Sequence, residues 1–197
     1  MDLRELKKEV ELLPSVDKHL KGFQDSWIKP IRSNTNQHIP FLQDLPQETK
    51  QELNRRLQLL SDSFQNVKDS QLINDKLKHY ARYLIELKLT TFNGDQSKSK
   101  MLSSRMLNDD FLNIKQTITE VQNFESHVKH IEQNYHEVNQ LLHKQLSLEE
   151  VVFFMELPHL KYLKGLLKLA DDHKVITRDI GRHLVVLTKQ TQLGGRR

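Results

Sequence analysis

Between Leu107 and Leu146 the chain carries a hydrophobic repeat that only a long, packed helix can use. Leu107, Ile114, Val121, Val128, Tyr135 and Leu142 recur every seven residues. Phe111 and Ile118 follow four residues behind the first two members, and Phe124, Ile131 and Val138 three residues behind the next three. Alternating steps of three and four hold one narrow stripe on one helix face. No Gly or Pro interrupts the run. Asn108, Asp109 and Asp110 offer capping oxygens and negative charge where the helix dipole is positive. Some forty helical residues would extend about 60 Å, and so narrow a stripe has to be buried against a partner.

The preceding segment offers one. Leu53, Leu57, Leu60, Phe64 and Val67 keep the same spacing, and Ile73, Leu77, Tyr80, Leu84 and Leu87 resume it in a shifted phase. The slip at Lys68–Gln71 reads as a stutter or a break, with Asp69 or Ser70 available to cap a new start. Asp44-Leu45-Pro46 marks the beginning of this arm, and the polar Asn93–Lys100 stretch reads as a reversal. The expected fold is therefore all-α: a long antiparallel coiled-coil helical hairpin within residues 41–146. Its arms are about 44–91 and 107–146 and its flexible tip is 93–106. Pairing of either arm with another copy, giving a dimer, is the alternative; local pairing has the lower closure entropy.

Short helices and a linker are expected for residues 1–40. Leu3, Leu6, Val10 and Leu13 form one face before Pro14, and Val16, Leu20, Phe23, Trp27 and Ile28 another before Pro30. Ser33–Gln37 reads as a polar linker and His38–Phe41 as extended, because of Pro40. Trp27 is read as a packing anchor. Residues 147–190 predict a small helical lobe. Ser147 and Glu150 form a capping box with Leu146 and Val151 as its staple, and Val151–Met155 is apolar all round, hence expected to be buried. Pro158 separates this helix from one carrying Leu160, Leu163, Leu166, Leu167 and Ala170. Asp171–Lys174 is read as a turn, and Thr177 as the cap of a last helix; Leu184–Leu187 could alternatively form a strand. Residues 191–197 are expected to be a disordered tail.

Composition narrows function mainly by exclusion. With no cysteine, the chain can hold no disulfide, cysteine-zinc or iron–sulfur site and no thiol nucleophile. Six Gly and five Pro are too few for a loop-rich β fold. Met1–Leu13 lacks the apolar run of a signal peptide, and Leu146–Ala170, the densest apolar stretch, is broken by six charges. No transmembrane segment is expected, membrane-surface contact is disfavoured, and the expected location is cytoplasmic or nuclear. No phosphate loop, dinucleotide fingerprint, Gly-x-Ser-x-Gly or His-Glu-x-x-His is present, so neither enzyme activity nor a cofactor is expected.

Ten histidines raise the question of metal. His127 and His130 are three apart and His136 and His143 seven apart, but Glu132 precedes His136 by four rather than three, and the last three rings point away from the stripe. No metal site is expected. Seven of the ten lie beyond residue 126, which makes a pH-sensitive assembly a secondary idea.

Net charge is +4, unevenly spread: +2 over residues 93–106, −3 over 107–146 and +3 over 147–197. Lys161, Lys164 and Lys168 share a helix face, as do Arg178 and Arg182, and these five are the candidate contacts for an anionic partner. Phe153, Phe154, Leu160, Leu163 and Leu167 are the candidate anchors for a protein partner. The expected function is a non-enzymatic interaction or scaffold subunit of a multi-protein assembly. Its helical rod would separate two protein-binding regions, the 93–105 tip and the C-terminal lobe. The partner is a protein, the chain itself as a homodimer or other oligomer included. The alternative is a nucleic-acid-associated protein that grips the phosphate backbone through the basic lobe; salt would weaken that and spare apolar docking.

Overall fold

A computed structural model describes residues 1–32, 39–68, 70–108 and 113–194 of the chain. Every regular element among them is helical. In chain order these are α1 (Leu3–Glu11), α2 (Val16–Phe23), a π-helical turn (Gln24–Ile28), α3 (Lys29–Arg32), a 3-10 turn (Pro40–Asp44), α4 (Gln47–Lys68) and α5 (Gln71–Phe92). Then come α6 (Gln96–Asn108), α7 (Ile114–His143), α8 (Leu148–Met155) and α9 (Leu160–Gly194). The protein is all-α. Two compact units divide the chain: residues 1–14, 70–123 and 169–197 form one, and 15–69 with 124–168 the other. α7 and α9 each contribute residues to both.

In the unit built on residues 15–69 and 124–168, α4 and α7 run antiparallel. The Arg56 guanidinium donates to Glu137 at 2.6 Å, and Asn134 lies 3.5 Å from the Ser63 hydroxyl. Leu53, Leu57, Leu60, Phe64 and Val67 on one side and Phe124, Val128, Ile131, Tyr135, Val138 and Leu142 on the other are all buried, as the repeat requires. These helices are not an isolated two-stranded coil, however. α2 packs beside α4, and Gly22 of α2 receives the Tyr162 ring of α9 while Gly165 of α9 receives the His19 ring. A Cβ at either glycine would fall within 3 Å of the opposing ring. Phe23, Trp27, Phe64, Tyr135, Phe154 and His159 close the centre of this unit in edge-on and tilted contacts, with His159 stacked on Trp27. Trp27 is fully buried, a packing anchor as read from the sequence.

The other unit centres on α5, which packs against α1 and α6. Asp2 caps α1 in a reciprocal box with Glu5, placing Leu3, Leu6 and Val10 inward. Lys76 of α5, itself buried, donates to both carboxylate oxygens of Glu120 on α7 at 2.8 Å. Residues of α9 complete the core, with Leu169, Ile176, Ile180, Leu184 and Leu187 inward.

Several expectations need correction. The 93–106 tip is not a flexible loop: α6 occupies most of it. Gly94 takes a positive φ of 77°, and the amides of Gly94 and Asp95 return to the Thr91 and Thr90 carbonyls, closing α5 in a Schellman turn. Asp95 then caps α6 through the Lys98 amide, and a buried hydroxyl cluster of Thr90, Thr91 and Ser99 ties α6 to α5. One glycine and one aspartate thus suffice for the reversal, and the remaining polar residues are helical. α4 ends at Lys68 and α5 begins at Gln71, so of the two readings of the phase slip, a stutter or a break, the break holds. Ser70 occupies the cap position without a side-chain cap bond, and Asp69 lies outside the described residues.

The helix of residues 160–170 does not end at Asp171–Lys174 but continues to Gly194. That tetrad looks like a turn by composition, yet it contains no Gly or Pro. Its helical register sends His173 inward to Asn74 and leaves Asp171 exposed. Thr177 is accordingly interior to a helix rather than a cap, and Leu184–Leu187 is helical, with Leu184 and Leu187 buried and Val185 and Val186 exposed. Residues 191–194 extend α9 instead of beginning a disordered tail; 195–197 lie outside the described residues.

Pro30 does not stop its helix either. The preceding turn widens so that the Lys29 amide bonds the Gln24 carbonyl five residues back, which accommodates a ring that cannot donate. Pro40 opens a 3-10 turn, so His38–Phe41 is not uniformly extended; Ile39 has a φ of −134°, and His38 with the 33–37 linker lies outside the described residues. On α7 the buried position before Val121 is Thr117 rather than Ile118, which is exposed. The Thr117 hydroxyl donates to the Asn113 carbonyl at 3.0 Å, so burial leaves it satisfied. Asn113 also caps this helix through the Gln116 amide; the capping role read for Asn108–Asp110 falls on side chains outside those described.

Candidate interaction surfaces

Ser147 sets the orientation of α8. Its hydroxyl accepts from the Glu150 amide and the Glu150 carboxylate accepts from the Ser147 amide, the capping box read from the sequence. With the start fixed, helical spacing distributes the apolar run around the axis. Phe154 points into the aromatic core and is buried. Leu148, Val152 and Met155, at i, i+4 and i+7, form an exposed row in which Leu148 is 80% accessible. Glu149 and Glu156 lie beside that row, and both are exposed. Phe153 follows on the far side, partly exposed, its ring 5.9 Å from that of Phe41. The expectation of a helix buried all round therefore fails: an eight-residue helix has room for one inward side chain here.

The remaining candidate anchors divide similarly. Leu163 is buried in the same unit as Phe154, while Leu160 and Leu167 are half-buried on α9. Phe153 is thus the one of the five that is classed as exposed.

A second apolar row, one that sequence reasoning missed, ends α5. Ile85 is half-buried, Leu89 is exposed and Phe92 is 88% accessible, again at i, i+4 and i+7. Met101 of α6 is exposed as well. Arg82 and Lys88 lie beside this row, both exposed. Lys88 is also within electrostatic range of Asp2. Glu86 is paired with Lys98 at 3.3 Å. The signal was present in the i, i+4, i+7 spacing, but it was hidden because the same helix carries a longer core stripe.

The five candidate cations all lie on α9 and all are exposed. Lys161, Lys164 and Lys168 belong to one unit and Arg178 and Arg182 to the other. The Lys161 ammonium sits 4.9 Å above the Tyr162 ring, and Arg182 lies 3.4 Å from Asp179. Asp171, on the same exposed face, interrupts the positive run between Lys168 and Arg178.

Two histidines that no motif singled out are strongly perturbed by burial. His159 is fully buried among Phe23, Trp27, Tyr135 and Phe154. The Tyr135 hydroxyl is hydrogen-bonded to its Nε2 at 2.7 Å. His173 in the other unit is also fully buried, its Nε2 2.7 Å from Asn74 Oδ1. Asn74 Nδ2 donates to the Pro14 carbonyl at 2.9 Å, which turns Oδ1 toward the ring and requires His173 Nε2 to carry the proton. Burial pushes both imidazoles down to about 4 from an ordinary value of 6.5. Neither ring is reachable from solvent; His159 meets a phenol and His173 an amide, and both serve as neutral core members.

A polar cleft of about 380 Å³ lies between α2 and α4, lined by Asp17, Lys21, Gln24, Ser61, Phe64 and Lys68 among others. Among the described residues no group of three histidine or carboxylate side chains is placed to hold a metal ion, and no helix is long and apolar enough to cross a membrane. His136 lies 3.9 Å from Glu132. No known protein family, curated protein or solved structure matches this chain.

Proposed function

We propose that this protein is a non-enzymatic interaction subunit that binds other proteins through exposed apolar helix rows, one on each of its two units. The observation that carries this reading is the outward face of α8. Leu148, Val152 and Met155 form a row on a capped helix while only Phe154 is needed to attach it to the core. Scattered exposed apolar residues are ordinary, whereas an aligned row at i, i+4 and i+7 is the pattern that helix-in-groove and helix-on-helix recognition uses. Ile85, Leu89 and Phe92 supply the second row.

The basic residues of α9 are the basis of the competing reading, attachment to a nucleic-acid backbone. Salt separates the two. Affinity capture with the full chain from its native cells, compared with a Val152→Glu variant, should yield a protein partner that the variant loses and that resists high salt. Partners that are nucleic acid, that vanish with salt and that depend on Lys161, Lys164 and Lys168 instead would refute the proposal.

A further inference from the structure

We infer that the partner of the α8 row is a second copy of this chain, docked through the C-terminal end of its α5. This rests on the reading of α8 as a docking face and adds the identity of its occupant. The two rows match in spacing and oppose in charge. On α8, Leu148, Val152 and Met155 are bordered by Glu149 and Glu156. On α5, Ile85, Leu89 and Phe92 are bordered by Arg82 on one edge and Lys88 on the other; the nearby Glu86 is paired with Lys98, and Lys88 is within electrostatic range of Asp2. Laid against each other, the rows bury apolar side chains and bring one of the two cations to the edge that Glu149 and Glu156 share. An α8–α8 contact would instead place four glutamates together, and an acidic border disfavours an anionic lipid surface.

Because the two rows belong to different units of the chain, the contact is heterologous. After one pairing, one molecule keeps its α5 row free and the other its α8 row, so association continues past the dimer unless the geometry closes a ring. Three side chains and two charges a side are far fewer than the 20–30 or so residues of a standard stable interface. The association is therefore weak, reversible and concentration-dependent. Phe92, the most exposed large apolar side chain among the described residues, is its aromatic anchor.

Sedimentation velocity of the full chain from micromolar to near-millimolar concentration tests this at low and high salt. The wild type should associate progressively. Phe92→Ala and Val152→Glu, both at exposed positions, should each weaken association about tenfold or more while leaving the thermal melt in place. Mixed together, these two variants retain one intact row of each kind and should form a heterodimer that grows no further. The Glu149→Lys/Glu156→Lys and Arg82→Glu/Lys88→Glu variants should each associate weakly, and the variant carrying all four changes should recover. A wild type that is monomeric at every concentration overturns the inference, as does association insensitive to both rows or a four-site variant no better than its parents. A monomeric wild type whose foreign protein partner is nevertheless lost in Val152→Glu would leave α8 a docking face with a different occupant.

Discussion

Lowering the pH from 7 to 5 should destabilise both units through two residues, His159 and His173. In the unfolded chain each imidazole titrates near 6.5; in the folded chain burial holds both at about 4. Above pH 6.5 both states are neutral and the histidines contribute no pH dependence. As pH falls below 6.5 the unfolded chain takes up protons that the folded chain refuses, so stability falls with pH and the loss levels off below about 4. At about 1.4 kcal/mol per pKa unit, the loss at pH 5 is roughly 2 kcal/mol for each ring. Stabilities of small domains are about 5–15 kcal/mol, so the pair removes a large share. Exposed Glu52, held down to about 2 by the Arg55 and Arg56 guanidiniums, titrates in a lower window and does not obscure the effect. Urea melts at pH 7, 6 and 5 measure the slope. His173→Gln can still donate to Asn74 but cannot titrate; it should be less stable at pH 7 and lose about 2 kcal/mol less between pH 7 and 5. Equal unfolding free energies at pH 5 and 7, or imidazole resonances of His159 and His173 titrating near 6.5 in the folded protein, would refute the reasoning.

Further outcomes concern packing. Gly22→Ala and Gly165→Ala should each destabilise by about 1–3 kcal/mol, because the added methyl meets an aromatic ring and overpacking outweighs the helix-propensity gain. Gly181→Ala meets nothing within 4 Å and should stabilise α9 by about 1 kcal/mol. Thermal melts of the three variants decide; destabilisation by Gly181→Ala, or stabilisation by the other two, would contradict the packing described. Glu120→Ala removes the carboxylate to which the buried Lys76 ammonium donates and should cost about 3 kcal/mol, whereas Lys76→Met combined with Glu120→Leu should come close to neutral. A urea-denaturation double-mutant cycle reports the difference.

Much of the architecture was legible in the amino-acid order. The 3-4 stripes identified the buried side chains of α4 and α7, the phase slip located the break before α5, and Ser147 with Glu150 announced the start of α8. These are local or periodic signals, and backbone geometry alone turns them into a face or an end. Legibility failed where one local pattern serves two outcomes. Asp171–Lys174 has the composition of a turn, but a buried partner for His173 holds it in a helix. Ile118 and Thr117 compete for one inward position, and the hydroxyl's bond to Asn113 lets the polar residue take it.

The docking rows show the same division. Apolar spacing on α8 and at the end of α5 could be counted in the residues themselves, and so could the charges beside them. Which members face outward depended on where the rest of the chain packs: Phe154 and Leu163 are claimed by the aromatic core, leaving Leu148, Val152, Phe153 and Met155 accessible. Helicity follows from short-range periodicity, capping and the scarcity of breakers, so it is written along the chain. Exposure is a property of neighbours distant in sequence, and the depressed proton affinities of His159 and His173 arise from those same neighbours.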